Sequence, residues 1–562
     1  MEIFKVENLS FSFPEQTQEV LKNVTFSVRQ GEFVVIFGES GSGKTTLLKL
    51  LKKELNPHGK INGRIFYKNQ HVDQLDHRTS SSEIGYVMQK PDDQIVMDKV
   101  WHELAFGLEN LGIATPVIRR RIGEMSNFFG IHHWFHKKTT DLSGGQKQLL
   151  NLASVMVMQP KVLLLDEPTS QLDPIAASEF MSILQKLHRD FGLTIIMVEH
   201  RLEDVLPLAD QVLLLESGSL ILKEKPAVIG HRLMQIDKHH KMIDALPSTM
   251  RIFHGLDGQG ESPLTVREGI RFLSNYCDNK MDCLVEPMLL EKEDTVLELK
   301  NIWFRYERDS PDILASVNFK VNKGEIVSIL GGNGSGKTTL LSILAGLRRS
   351  YKGDFFINGQ KAKKYKGKEM YKHNIALLPQ DPQSLFLKSS IREDYIEISK
   401  IMNYSKDEME NNIKKIAEML SIVELLDKHP ANLSGGEQQK AALGKVLLLQ
   451  PKILLLDEPT KGIDMFSKKT LHEILFDLKK QGVTIIVVTH DIEFAATISD
   501  RCGLFFDKEI TALDTPTTFF KENNFYTTMA NRMSRHMFHN AITCEEVIAL
   551  CKLNERKIKE QI

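Results

Sequence analysis

The chain has 562 residues, 42% of them hydrophobic and 26% charged, a composition ordinary for a folded protein of several domains. Its formal net charge of -1 leaves no chain-wide basic field, which excludes electrostatic nucleic-acid binding by the molecule as a whole. No stretch approaches the roughly 18 uninterrupted apolar residues of a membrane span, and the start, MEIFKVENLSFSF, lacks the pattern of a signal peptide, so membrane contact is expected only through partners.

Along the chain, short apolar runs end at polar landmarks. The run FVVIFG leads into GESGSGKTT, Gly38–Thr46, which satisfies GxxxxGK[ST] with Gly38, Gly43, Lys44 and Thr45. Glycines let the backbone fold so that successive N–H groups point into one hollow, and the following helix aims its positive end there. Lys44 is expected to reach the β- and γ-phosphates and Thr45 a Mg²⁺ ion, with Ser40, Gly41 and Thr46 completing the cradle. LSGGQ follows at Leu142–Gln146, where Ser143 reads as a helix N-cap and Gly144 and Gly145 allow close approach to an anion. VLLLDEPTS then places Asp166 at a strand end to hold the metal and Glu167 beside it to polarise an attacking water. TIIMVEH ends in His200.

All of this recurs after about 290 residues, a whole-domain duplication rather than a solenoid period. IVSILG leads into GGNGSGKTT, with Gly331, Asn333, Gly334, Gly336, Lys337, Thr338 and Thr339 matching the first loop. LSGGE supplies Ser434, Gly435 and Gly436; ILLLDEPTK supplies Asp457 and Glu458; TIIVVTH ends in His490. The repeat places one unit at 1–225 and the other at 295–515. Residues 226–294 form a slightly acidic linker with short helices, and 516–562 a helical tail. Apolar strands alternating with helical segments predict, in each unit, a largely parallel sheet covered by helices, with ligands beyond the strand carboxyl ends. Cys277, Cys283, Cys502, Cys544 and Cys551 are odd in number and form no CxxC pair, which argues against zinc or iron–sulfur binding and for reduced cytosolic thiols.

The order of GxxxxGKT, Gln89, LSGGQ, LLLDEPTS and His200, repeated in the second unit with Gln380, resembles that of ATP-binding-cassette ATPases. The resemblance implies an α/β fold of two P-loop cassettes in tandem. Each would have a mostly parallel sheet, an antiparallel β subdomain and a helical signature subdomain. It implies that the cassettes pair head to tail within the chain, each ATP lying between the loop of one and the signature of the other. One site would combine Lys44, Thr45, Gln89, Asp166, Glu167 and His200 with Ser434, Gly435 and Gly436. The other would combine Lys337, Thr338, Gln380, Asp457, Glu458 and His490 with Ser143, Gly144 and Gly145. Gln89 and Gln380 would also touch the metal. His200 and His490 would contact the γ-phosphate, and Phe13 and Tyr306 would stack on adenine. The motif residues are present in both units, so both sites are expected to hydrolyse ATP. Glu437 in place of the signature Gln, and KGID opposite SQLD, are mild departures.

PDDQIV, VWHELAFGLENLG, EHRLEDVLPLAD and, between the units, SPLTVREGIRFL further resemble energy-coupling factor ATPases. Such proteins power uptake of vitamins or of cobalt and nickel ions with a transmembrane coupling subunit and a substrate-binding membrane subunit. The implied location is the cytoplasmic face of the membrane, and Asp92–Val96 and Gln383–Phe386 become candidate docking surfaces. Two other readings are a ribosome-associated factor of the ABC-F type, disfavoured by the acidic linker and near-zero net charge, and a tandem sugar-importer ATPase, disfavoured by the intact second phosphate loop.

Overall fold

The computed structural model describes residues 1–14, 18–276, 294–365 and 367–561. Cys277, Cys283 and most of the mixed-charge run EPMLLEKEDT lie outside them. The chain divides into two compact units, Met1–Thr265 and Val266–Ile562.

In the first unit, the runs FVVIF, VLLLD and TIIMV become strands buried at every position, as strands covered on both faces must be. The six-stranded sheet runs Ser219–Glu224, Gln211–Glu216, Phe33–Phe37, Thr194–Val198, Val162–Asp166, Ile84–Val87 from edge to edge. Every pairing is parallel except that of the hairpin Gln211–Glu216 with Ser219–Glu224. A second sheet of four antiparallel strands holds Leu21–Arg29, Glu2–Ser12, Lys60–Tyr67 and Gln70–His71. Leu47 and Leu48 of the helix Lys44–Leu50 share one core with Phe4 and Phe11 of this sheet and Val34 and Ile36 of the parallel one. That core therefore fixes the start of the helix against the strand ends. A third body packs the helices Val100–Asn110, Thr115–Phe128 and Gly144–Met156 together.

The second unit repeats the plan. Its parallel strands are Ile375–Leu378, Ile453–Asp457, Thr484–Val488, Ile326–Leu330 and Arg501–Phe506, with Glu509–Asp514 antiparallel at the edge. The four-stranded sheet and the helices Ile391–Ile401, Lys406–Met419 and Gly435–Leu447 follow as in the first.

Residues 226–264 pack on the first cassette. The helix Pro226–Ile236 lies against Gln211–Glu216 and Ser219–Glu224, and Glu203 accepts hydrogen bonds from Ser248 N at 2.8 Å and Ser248 Oγ at 2.7 Å. The helix Val266–Tyr276 belongs to the other unit and packs on Met529–Ser534 in the tail. Gly269 makes that crossing close, since a Cβ there would meet Met533 Sδ at 2.7 Å. The tail carries the helices Pro516–Glu522, Met529–Ser534 and Cys544–Gln561, and both of its cysteines are buried.

Candidate active site

Each phosphate loop leaves the carboxyl end of a buried strand and turns directly into a helix. Gly43 and Gly336 cap those helices with φ of 95° and 117°, a conformation that disfavours any side chain. A Cβ on Gly43 would also lie 2.9 Å from Val20 O. Lys44 is buried and its Nζ donates to Gly38 O at 3.0 Å and Glu39 O at 2.7 Å. Lys337 does the same with Gly331 O at 2.9 Å and Gly332 O at 2.8 Å. Both ammonium groups thus lie folded into their own loops. Ser40, Gly41, Asn333 and Gly334 form the exposed tips of the loops, while Thr46 is half-buried and Thr339 buried.

Thr45 Oγ1 donates to Asp166 Oδ1 at 2.9 Å, and Thr338 Oγ1 to Asp457 Oδ1 at 3.2 Å. In both units a hydroxyl and a carboxylate oxygen therefore meet at the strand ends, a hard-oxygen pair suited to Mg²⁺. Burial pushes the Asp166 carboxyl up to about 6, helped by the neighbouring charge of Glu167 and opposed by donation from Thr45 and Tyr86. Asp457 is likewise pushed up to about 6, first by burial and then by the charge of Glu458, against donation from Thr338.

Glu167 and Glu458 adopt φ of 44° and 50°, and their N–H groups bond to Val198 O at 2.9 Å and Val488 O at 2.8 Å. This strained turn aims each carboxylate toward the adjacent strand, where the histidines sit. His200 Nε2 lies 2.9 Å from Glu167 Oε1, and Gln89 Nε2 donates to Glu167 Oε2 at 2.7 Å. In the second unit the contact uses the other ring nitrogen: His490 Nδ1 lies 2.8 Å from Glu458 Oε2. Burial raises the Glu458 carboxyl, but the hydrogen bond and charge of His490 outweigh it and hold the group below its ordinary value. Gln380 is exposed and, among the described residues, does not reach Glu458. The first unit therefore brings together Thr45, Gln89, Asp166, Glu167 and His200; the second brings together the matching residues except Gln380.

Ser143 caps the helix Gly144–Met156 in a reciprocal box with Gln146, whose Oε1 accepts from Ser143 N at 3.0 Å. Glu437 serves the same box in the second unit, accepting from Ser434 N at 2.8 Å and Ser434 Oγ at 2.7 Å. The Gln-to-Glu departure thus preserves the cap and adds a charge suited to a helix start. Gly144 and Gly435 are exposed, Gly145 half-buried and Gly436 buried. Phe13 is half-buried, edge-on to Phe11. Tyr306 is exposed; its hydroxyl lies 2.9 Å from Thr339 Oγ1 and the Arg348 guanidinium sits 4.5 Å above its ring.

Several contacting residues carry no motif. Tyr86 OH donates to Asp166 Oδ2 at 3.1 Å, a bond without a counterpart because Leu377 holds the matching position. Loops after Gln89 and Gln380 are tied to the signature helices, by Lys147 Nζ to Asp92 Oδ1 at 2.5 Å in one unit and by Gln383 Nε2 to Gln438 Oε1 at 3.2 Å in the other. Glu103 accepts from Val96 N and Met97 N, and Asp394 from Leu387 N and Lys388 N, so a buried acid anchors each loop from below. A matching position in the two halves was the available signal for these contacts, but Glu103 and Asp394 differ in length, and although Glu103 falls within VWHELAFGLENLG, nothing in that string marks it as the anchor of the loop.

The chain is similar to known proteins. The family described as ABC transporter matches residues 21–170 and 314–461. A Bacillus thuringiensis protein named "Putative ABC transporter ATP-binding protein" is 40% identical over 97% of this chain and 98% of its own. A Bacillus subtilis protein named "Putative HMP/thiamine import ATP-binding protein YkoD" is 29% identical over 93% of each. Of solved structures, cbiO1 from Clostridium perfringens is 32% identical and covers 43% of this chain and 97% of its own, with a TM-score of 0.38. With two copies of the cassette, each with its phosphate loop, strand-end Asp–Glu pair and capped signature helix in place, the chain belongs to the ABC transporter family as an ATPase, the ATP-binding part of a transporter.

Proposed function

We propose that this chain powers an energy-coupling-factor type importer of a vitamin or a metal ion, working at the cytoplasmic face of the membrane. Its partners would be a transmembrane coupling subunit and a membrane subunit that binds the cargo. The observation that carries this reading is the pair of loops after Gln89 and Gln380. Val96 is 66% exposed and Leu387 79% exposed, at matching positions, while the backbone around each is fixed by a buried acid. A rigid loop presenting an apolar side chain to solvent suits the docking of a partner's helix. In the first unit a groove of about 630 Å³, lined by Lys52, Tyr86, Met88, Gln94, Leu111 and Met158, lies beside the loop. No helix among the described residues is long and apolar enough to cross a membrane. The name of the Bacillus subtilis relative favours an HMP- or thiamine-like cargo.

In the proposed mechanism the two cassettes close on two ATP molecules, Lys44 facing Ser434, Gly435 and Gly436, and Lys337 facing Ser143, Gly144 and Gly145. Lys44 and Lys337 exchange the loop carbonyls they now hold for phosphate oxygens, a trade that keeps a buried ammonium satisfied. Thr45 with Asp166, and Thr338 with Asp457, would hold Mg²⁺, which neutralises phosphate charge when bound. Glu167 and Glu458 accept the proton of the attacking water and His200 and His490 contact the γ-phosphate, for which each must part from its present carboxylate–imidazole contact. Phe13 and Tyr306 stack on adenine.

Affinity purification of the chain from its native membranes in mild detergent tests the reading. The expected result is co-purification of one multi-span protein and one small apolar membrane protein. Recovery with ribosomes in a salt-dependent manner, or with no membrane protein, would refute it.

A further inference from the structure

Glu199 is a buried carboxylate that none of the roles above uses. It is 1% exposed and sits between the strand Thr194–Val198 and His200. Three donors converge on it: Thr169 Oγ1 on Oε2 at 2.7 Å, and the N–H groups of His200 and Arg201 on Oε1 at 2.9 and 3.2 Å. Thr169 lies two residues beyond Glu167, in the segment that Ser170 Oγ also ties to Glu167 O at 2.8 Å. The Arg201 side chain runs the same way and donates to Leu172 O at 3.4 Å. The loop bearing His200 is thus fastened to the segment after Glu167 at two points. Burial, and secondarily the charge of Glu167 after the opposing bond from Thr169, raise the Glu199 carboxyl above its ordinary range. A position so costly to bury is held only by its full set of donors.

The second half is built differently. Thr489 takes the place of Glu199, and among the described residues its Oγ1 accepts from Asp491 N at 3.0 Å, the match of Arg201 N. Among the described residues it makes no hydrogen bond to Thr460, the counterpart of Thr169, and the loop is tied instead by the His490 N–H donating to Glu458 Oε2 at 3.2 Å. There Asp491 pairs instead with Lys468 Nζ at 2.5 Å, reversing the charge that Arg201 carries in the first half.

We infer that Glu199 is a positioning residue of the first site, fixing His200 relative to Glu167 through Thr169 and the loop backbone, and that the two ATP sites are therefore unequal by construction. The inference rests on the reading that Glu167 and His200 act on the terminal phosphate.

The test uses the full chain with Glu458→Gln, which confines hydrolysis to the Lys44 site. Adding Glu199→Ala, or Glu199→Thr to copy the second half, is expected to lower kcat about ten- to a hundredfold. KM for ATP should stay within about twofold, because binding of the ground state is untouched. Glu199→Gln keeps an oxygen for both N–H groups and an amide toward Thr169, and should restore most of the rate. In the mirror chain with Glu167→Gln, the same Glu199 changes should alter kcat by less than about twofold. Equal loss in both backgrounds, loss in neither, or a fall in Tm with kcat per folded chain unchanged overturns the inference. If Glu458→Gln and Glu167→Gln each leave turnover intact, the assignment of the glutamates fails and the inference falls with it. If either silences both sites, Glu199→Ala is compared with Thr489→Ala in the otherwise unaltered chain, where equal kcat overturns it.

Discussion

Lys445 and Asp394 form the most deeply buried ion pair that holds a candidate docking loop. Asp394 is 0% exposed; Lys445 Nζ donates to its Oδ1 at 2.6 Å and reaches Leu385 O as well. Replacing Lys445 by Met keeps the volume and removes the charge. Asp394 would then keep Leu387 N and Lys388 N, near 3.2 Å, but lose its counter-ion. Breaking a buried pair from one side costs about 3–5 kcal/mol, and two surviving donors place the expected loss near the lower end, about 3 kcal/mol. For a unit larger than about 250 residues, 1 kcal/mol shifts Tm by roughly 2 °C, so scanning calorimetry should show a drop of about 6 °C in one transition. The double change Lys445→Met with Asp394→Asn removes both charges and should recover most of that loss. Because Leu385, Leu387 and Lys388 are the backbone being held, the single variant should also weaken capture of membrane partners while leaving KM for ATP unchanged. A Tm within about 1 °C of the parent for Lys445→Met would show that water replaces the lysine at no cost, and the argument for a rigid loop would fail.

Glu167→Gln and Glu458→Gln should each lower turnover at their own site by about 10²–10⁴-fold, the usual loss of a positioned base, while ATP binding persists; filter binding and phosphate release measured together check this. Burial, aided by the nearby His231, holds the His254 imidazole down to about 4 from its ordinary value of 6.5. The folded state therefore binds its proton later than the unfolded chain. The stability this group lends is complete above about pH 6.5 and is lost as pH falls toward 4, so Tm of the parent should decline over that window more steeply than Tm of His254→Gln. His254 Nε2 contacts Ser262 Oγ at 3.0 Å, and the glutamine can keep that bond, which isolates the titration from the packing.

The parts of this molecule written in local chemistry were legible from the chain alone. A short apolar run such as VLLL before Asp166, repeated as ILLL before Asp457, reads as a covered strand, and GxxxxGKT after such a strand as a loop that closes on an anion, so the parallel sheets and the strand-end cluster followed. Ser143 and Ser434 read as helix caps from the sequence, while the reciprocal bonds to Gln146 and Glu437 came only with the structure. What escaped were partners chosen by tertiary packing. Tyr86 meets Asp166 across two neighbouring strands, and Asp394 meets Lys445 between helices 51 residues apart in sequence. Glu199 sat in plain view beside His200, but nothing in TIIMVEH distinguishes an exposed acid from one buried under Thr169. The stretch 226–294 read as linker because its composition is mixed. Its first part lies in the first unit, where Ser248 donates to Glu203, and the helix Val266–Tyr276 lies in the second, crossing close to Met533 at Gly269.

The central claim is that each half completes the other's triphosphate site. The most direct measurement is the structure of the ATP-loaded chain carrying both Glu167→Gln and Glu458→Gln. The account predicts Ser434 Oγ at hydrogen-bond range, roughly 3 Å, from the γ-phosphate held by Lys44, and Ser143 Oγ likewise at the phosphate held by Lys337. Both serines more than about 10 Å from any phosphate, with nucleotide bound at both lysines, would contradict it.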